Sequence, residues 1–334
     1  MIHAKTIGGW ALGFVLAVAP RACMAGWTSP TSGTANYLDP ARWAGGVIDN
    51  RFESTLKLSG TLSVRLDARH STGPEGLLLG YDVTHTSNEF NLVGNGTLVL
   101  SGPVNMTPVK SDVRATIGGA FESLGVELEG TCQFNIGPWR YLTIVAPIGD
   151  GMTPGALLKT GEGHLILSGS NSYSGGTTIR DGRVQLARSE VLPDMSLVEL
   201  SPTAGVLELL AGASETIGAL SGGSTDKGNV ILNGARLLVG AADVPAVYRG
   251  VISGSGGSVA KIGAAVQTFT NVAHSFSGEL TVRAGTLSIE AAYSSAEGII
   301  RAAGNSPLGA GPVVIDGGRL SIRNVFANAA AIVI

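Results

Sequence analysis

The chain has 334 residues, of which only 14% are charged, 5% are aromatic and 49 are glycine. A typical soluble domain has about a quarter charged residues and roughly half this share of glycine, so a helical or doubly wound enzyme fits poorly. Any core must be filled by Val, Ile, Leu and Ala. The 22 basic and 25 acidic residues leave a net charge of −3 with no Lys/Arg run, which excludes the electrostatic footprint of a nucleic-acid binder.

At the N-terminus, Lys5 precedes an apolar stretch from Trp10 to Ala19, followed by Pro20 and then Cys23-Met24-Ala25. A basic start, an apolar run of this length and small residues before a cleavage point predict a signal peptide over 1–25, cut after Ala25. The run is too short to span a bilayer as a mature helix, so no membrane insertion by this segment is expected. Pro20-Arg21-Ala22 before Cys23 is wrong for a lipid-attachment motif. Processing leaves Cys132 alone, with no intramolecular disulfide possible, and it reads as a small buried hydrophobe. Residues 26–150 read as a β-solenoid lead-in, and 151–334 as a β-solenoid with repeats near 157–186 and 251–289.

The strongest signal is self-similarity. A glycine followed by an apolar/any/apolar alternation recurs as Gly60-Thr61-Leu62-Ser63-Val64, Gly96-Thr97-Leu98-Val99-Leu100 and Gly163-His164-Leu165-Ile166-Leu167. It returns as Gly182-Arg183-Val184-Gln185-Leu186, Gly205-Val206-Leu207-Glu208-Leu209, Gly285-Thr286-Leu287-Ser288-Ile289 and Gly318-Arg319-Leu320-Ser321-Ile322. Each unit is a turn glycine feeding a short strand with alternate residues inward. Such a strand must stack on its neighbours, which predicts an all-β, right-handed parallel β-helix with Gly-rich turns and rungs of about 20–25 residues. An antiparallel sandwich shares the local pattern and is the alternative.

A longer unit also repeats. Lys159-Thr160-Gly161 leads through Tyr173-Ser174-Gly175-Gly176-Thr177-Thr178 to Gly182 and Val184; Lys261-Ile262-Gly263 leads through Phe276-Ser277-Gly278-Glu279-Leu280-Thr281 to Gly285 and Leu287. One inserted residue reconciles the two, and Leu165 and Leu167 become Gln267 and Phe269 in the second. The first copy resembles the autotransporter-associated β-strand repeat, "L-x-K-x-G-x-G-x-L-x-L-x-G-x-N-x-Y-x-G-x-T" followed by "G-x-L". The segment Tyr37 to Gly46, with Trp43-Ala44-Gly45-Gly46, looks like the lead-in that follows the signal in such proteins. The resemblance implies a β-helical passenger domain, secreted or held at the bacterial outer membrane surface. It also implies an outer-membrane barrel, whose aromatic-girdled strands the sequence up to Ile334 does not show; a truncated gene product or a passenger fragment is expected.

Candidate chemistry is sparse. Asp181, Asp194, Asp226, Asp243 and Asp316 mostly sit beside Gly or Pro, where turns explain them. His70, His85, His164 and His274 lack metal-ligand spacing, and His164 occupies a variable, solvent-facing position. Gly222-Gly223-Ser224-Thr225-Asp226 and Gly254-Ser255-Gly256-Gly257 read as corner loops rather than calcium or phosphate sites, and Asn95-Gly96-Thr97 as a turn. No catalytic residue, metal ligand or cofactor site is therefore assigned. The expected function is a non-enzymatic, adhesin-like β-helical stalk meeting extracellular glycans or surface proteins; the alternative is a polysaccharide-binding or polysaccharide-cleaving β-helix. Trp27, Trp43 and Trp139 offer only a thin aromatic platform for sugars.

Overall fold

The computed structural model describes residues 33–36, 51–54, 62–66, 69–72, 74, 76–81, 89–106, 113–119, 121, 123–291 and 307–324. The expected signal peptide, Trp27, Trp43 and His85 lie outside them. Every described element is a strand, and every described strand pair is parallel. One coil shows the plan. Thr131–Ile136 runs along a first face, Arg140–Ile144 along a second and Ile148–Asp150 along a third; the chain then returns as Ala156–Thr160, with Ala156 opposite Thr131.

Repeating this path builds a parallel β-solenoid. Among the described residues, the first face is a 12-stranded sheet from Arg51–Ser54 to Arg319–Asn324, and the second a 10-stranded sheet from Gly33–Asn36 to Ile252–Ser253. The third holds a 4-stranded sheet ending at Ile148–Asp150 and a separate 5-stranded sheet beginning at Ser214–Ile217. Rungs vary more than the sequence predicts: Leu157 lies opposite Thr177, but Thr286 lies opposite Arg319. The ladder register is kept across both steps.

The core is made of in-register files. Strand alternation turns Leu165 and Leu167 inward and His164 and Ile166 outward. Leu165 stacks on Val184 and then Leu207, while Leu167 stacks on Leu186 and then Leu209; all six are fully buried. A slip of one residue would expose every member, so the files fix the register. Corners hold it as well. Gly182 has φ of +64°, and a Cβ there would lie 2.4 Å from the carbonyl oxygens of Gly161 and Gly163 in the preceding rung.

The two long repeats are set one face apart. In the first, Ala156–Thr160 lies on the first face and His164–Leu167 on the second; residues 168–176 cross the third side without a strand. In the second, Ser258–Lys261 lies on the third face and Val266–Phe269 on the first; residues 270–279 cross the second side with only a bridge at His274. Two successive strand-free passes of the third side, residues 168–176 and 187–196, split that face into two sheets, and the strand-free pass of the second repeat falls on the second side. With that pass, the second sheet ends, among the described residues, at Ile252–Ser253.

Candidate functional site

Each repeat carries a lysine buried inside its corner. Lys159 is 0% exposed, and its Nζ donates to the carbonyls of Thr160 (2.8 Å), Gly161 and Asp181 (3.2 Å). Lys261 donates to the carbonyls of Ile262, Gly263 (2.8 Å) and Ala284 (3.3 Å). Three acceptors match the three protons of an ammonium, and the third belongs to the next rung, so each lysine ties two rungs together. Burial pushes the Lys159 ammonium down to about 7, and Asp181 pulls it partly back. Burial also lowers Lys261, opposed by Asp243.

Where a side has no strand, side chains replace the missing ladder. Asn171 Oδ1 accepts the N–H of Ile148, and His274 Nδ1 accepts that of Ile252. Glu215, fully buried, accepts from Val191 (2.9 Å) and Leu192 (2.6 Å) across the strand-free part of the third side. Burial, with Glu190 and Asp194 adding to it against those two N–H donors, holds its carboxyl up at about 7. Tyr173 Oη bonds Thr177 Oγ1 (2.7 Å), which bonds Ser196 Oγ (3.0 Å) beneath the same turn.

These groups are structural, and the outer surface is where a partner can reach. On the second face an outward file runs Arg114, Tyr141, His164 and Arg183. The Arg114 guanidinium lies 5.1 Å over the Tyr141 ring, whose edge meets His164 at 4.8 Å; Arg183 is ion-paired to Glu208. Burial and the neighbouring Arg183 lower the His164 imidazole. The file is occupied with itself.

The first face carries a groove of about 290 Å³. Gly176 and Thr178 form its floor. Leu158 and Thr131 rise on one side, and Glu199, Ser201 and Pro202 on the other. Thr178 lies in register between Leu158 and Glu199, so a small residue between larger ones makes the depression. Arg180 reaches in from the end of the floor strand. Among the described residues, neither the Arg180 nor the Glu199 side chain is held by another protein group.

The residues singled out in the sequence fall apart in space. Asp181 Oδ1 accepts its neighbour's N–H from Gly182 (2.7 Å), and Asp243 accepts that of Ala264. Cys132 is buried, donates to the carbonyl of Gly102 (3.3 Å) and has its thiol pushed up to about 12 by burial. Trp139 stands 73% exposed on a corner with φ of +61°. Among the described residues, no three of His, Cys, Asp and Glu gather where they could hold a metal ion. The groove was not read from the sequence, because its walls come from rungs whose offsets only the register reveals.

Comparison with known proteins agrees with this architecture. The passenger-associated-transport-repeat family matches residues 157–186 and 259–289, the two units whose lysines sit in carbonyl cages. An adhesin autotransporter, BmaC, of Brucella suis biovar 1 (strain 1330) is 32% identical over 270 residues. That alignment covers 80% of this chain, and the chain spans about 7% of the relative's length. No solved structure matches. The chain is a parallel β-solenoid that carries the passenger-associated-transport repeat twice and is homologous to one segment of an autotransporter adhesin.

Proposed function

We propose that this chain is a non-enzymatic, adhesin-like passenger segment: a β-helical stalk displayed at a bacterial surface or released from it. The observation that carries this reading is the pair of transport repeats built into one ladder, together with similarity to an adhesin over most of the chain. The physics supports a stalk. Parallel rungs lock carbonyl to amide along the sheets, with side chains standing in where a side has no strand, and each rung buries its apolar residues against the next. Residues 1–25 act in this proposal as the export signal, and 26–150 lead into the repeat-bearing part.

The test is display of residues 26–334 on a non-adherent bacterium through a heterologous outer-membrane barrel. Adhesion to host cells or matrix above the empty barrel is expected. The purified chain is expected to leave acidic and neutral polysaccharides intact with and without Ca²⁺. Turnover of any of them overturns the non-enzymatic part of the proposal; loss of adhesion overturns the rest.

A further inference from the structure

We propose that the groove on the first face binds a neutral glycan segment lying across the rungs. This inference takes the adhesin reading as its setting and names what the adhesin would hold.

Shape is the first argument. The groove spans the rungs of Thr131, Leu158, Thr178 and Glu199, three strand spacings or about 14 Å. Its volume of about 290 Å³ lies at the lower end of small-molecule sites. That suits one or two saccharide rings and is too small to seat a folded partner.

Chemistry is the second. Arg180 can only donate and Glu199 can only accept, while the Thr131, Thr178 and Ser201 hydroxyls do both. A saccharide edge offers hydroxyls that serve either role, with aliphatic C–H surface between them for Leu158 and Pro202. The opposite charges of Arg180 and Glu199 balance. An acidic glycan would bring its carboxylate toward Glu199, and a cationic ligand would bring its charge toward Arg180. The complementary ligand is neutral.

Backbone accounting is the third. The groove lies on the face of the sheet, where strands are paired on both sides and main-chain groups are consumed by the ladder. An extended peptide gains most from adding itself to a free sheet edge, which this site lacks. The floor is also fixed in advance. Arg180 N bonds Lys159 O (2.9 Å) and Ser201 N bonds Ile179 O (2.9 Å), so the walls need not reorganise to bind.

The experiment uses the purified chain against immobilised neutral oligosaccharides, acidic oligosaccharides and peptides, followed by titration calorimetry with any ligand retained. Thr178→Tyr fills the floor with a residue suited to an outward strand position. Arg180→Ala and Glu199→Ala remove the paired donor and acceptor. Gln185→Tyr makes the same kind of change on the second face. At least one neutral oligosaccharide should bind. Its affinity should fall at least ~10-fold in T178Y and ~5–10-fold in R180A and E199A, and stay within ~2-fold in Q185Y. Circular dichroism and unchanged melting establish that each variant is folded.

Absence of neutral-glycan binding, preference for acidic glycans or peptides, or full binding by T178Y overturns the inference. Glycan binding by the purified chain without adhesion of the displayed chain supports the groove and overturns the adhesin reading. Adhesion by the displayed chain with glycan binding intact in T178Y overturns the groove and leaves the adhesin reading standing.

Discussion

Asn171 and His274 do the same work in two copies of one repeat. Asn171 Oδ1 accepts the N–H of Ile148 at 2.9 Å, and His274 Nδ1 accepts the N–H of Ile252 at 3.0 Å. Asn171 Nδ2 and His274 Nε2 are each left buried without a hydrogen-bond partner. Chemically different residues converge because the position asks for one acceptor aimed at the previous rung. Histidine meets that demand only when neutral, with its proton on Nε2.

The first prediction follows from this tautomer. His274 lies against the Phe269 and Phe276 rings, and burial drops it to about 4. Its folded value is below the unfolded one, so stability is lost as pH falls from about 6.5 toward 4, by about 3 kcal/mol. Glu215 works in the opposite sense: its raised value makes stability fall as pH rises from about 4.5 to 7. In the parent chain the two largely cancel between pH 4.5 and 6.5. His274→Asn should therefore gain stability on acidification through that window, and Glu215→Gln should lose it. Chemical denaturation at pH 4.5 and 6.5 measures both, and parallel behaviour of the two variants would show the assignment to be wrong.

Removing a caged lysine leaves three carbonyls facing an apolar corner. Lys159→Met and Lys261→Met should each destabilise the chain by roughly 3 kcal/mol, the cost of stranding buried acceptors. The cages sit 102 residues apart on different corners, so the double variant should be close to additive. Thermal or denaturant midpoints provide the reading; a neutral Lys159→Met would mean the cage contributes nothing.

The repeat itself suggests a conservative exchange. Phe276 stands where the first copy has Tyr173, and both are buried. Tyr173→Phe should cost about 1 kcal/mol for the lost bond to Thr177. Tyr173→Ala should cost about 3–5 kcal/mol, because it also opens a cavity under the turn. The ratio between the two separates packing from hydrogen bonding.

Two glycines with similar backbone angles should respond differently. Gly212 has φ of +76° with nothing within 4 Å of an added Cβ, whereas at Gly182 the added atom meets two carbonyl oxygens at 2.4 Å. Gly212→Ala should cost about 1 kcal/mol of backbone strain. Gly182→Ala should cost clearly more, because the preceding rung must move. Melting temperatures of the pair decide it.

The strand alternation and turn glycines were legible in the sequence, since Gly163 to Leu167 and Gly182 to Leu186 state their inward files by spacing alone. The worn middle of the second repeat was not. Gln267, where a leucine is expected, is buried and bonds both backbone groups of Leu220, donating to its carbonyl at 2.8 Å and accepting its N–H at 3.2 Å. The strands Ala219–Gly222 and Ala246–Tyr248 pair only at Gly222 and Tyr248, so Leu220 lacks the ladder partner it would otherwise have. Asn271 likewise bonds the carbonyls of Thr225 and Arg249. These substitutions read as decay in one dimension and as repair in three. Their partners lie 46 and 47 residues back, a distance set by loop lengths that no local pattern encodes. The groove was hidden for the same reason.

The one-face offset between the repeats has a geometric consequence. A third copy keeping the same step would fall on the remaining side, and a fourth would return to the first. A long array built this way presents its repeats as a spiral staircase around the axis. A flat opposing surface would then meet every third step, while a strand wound about the shaft could touch them all.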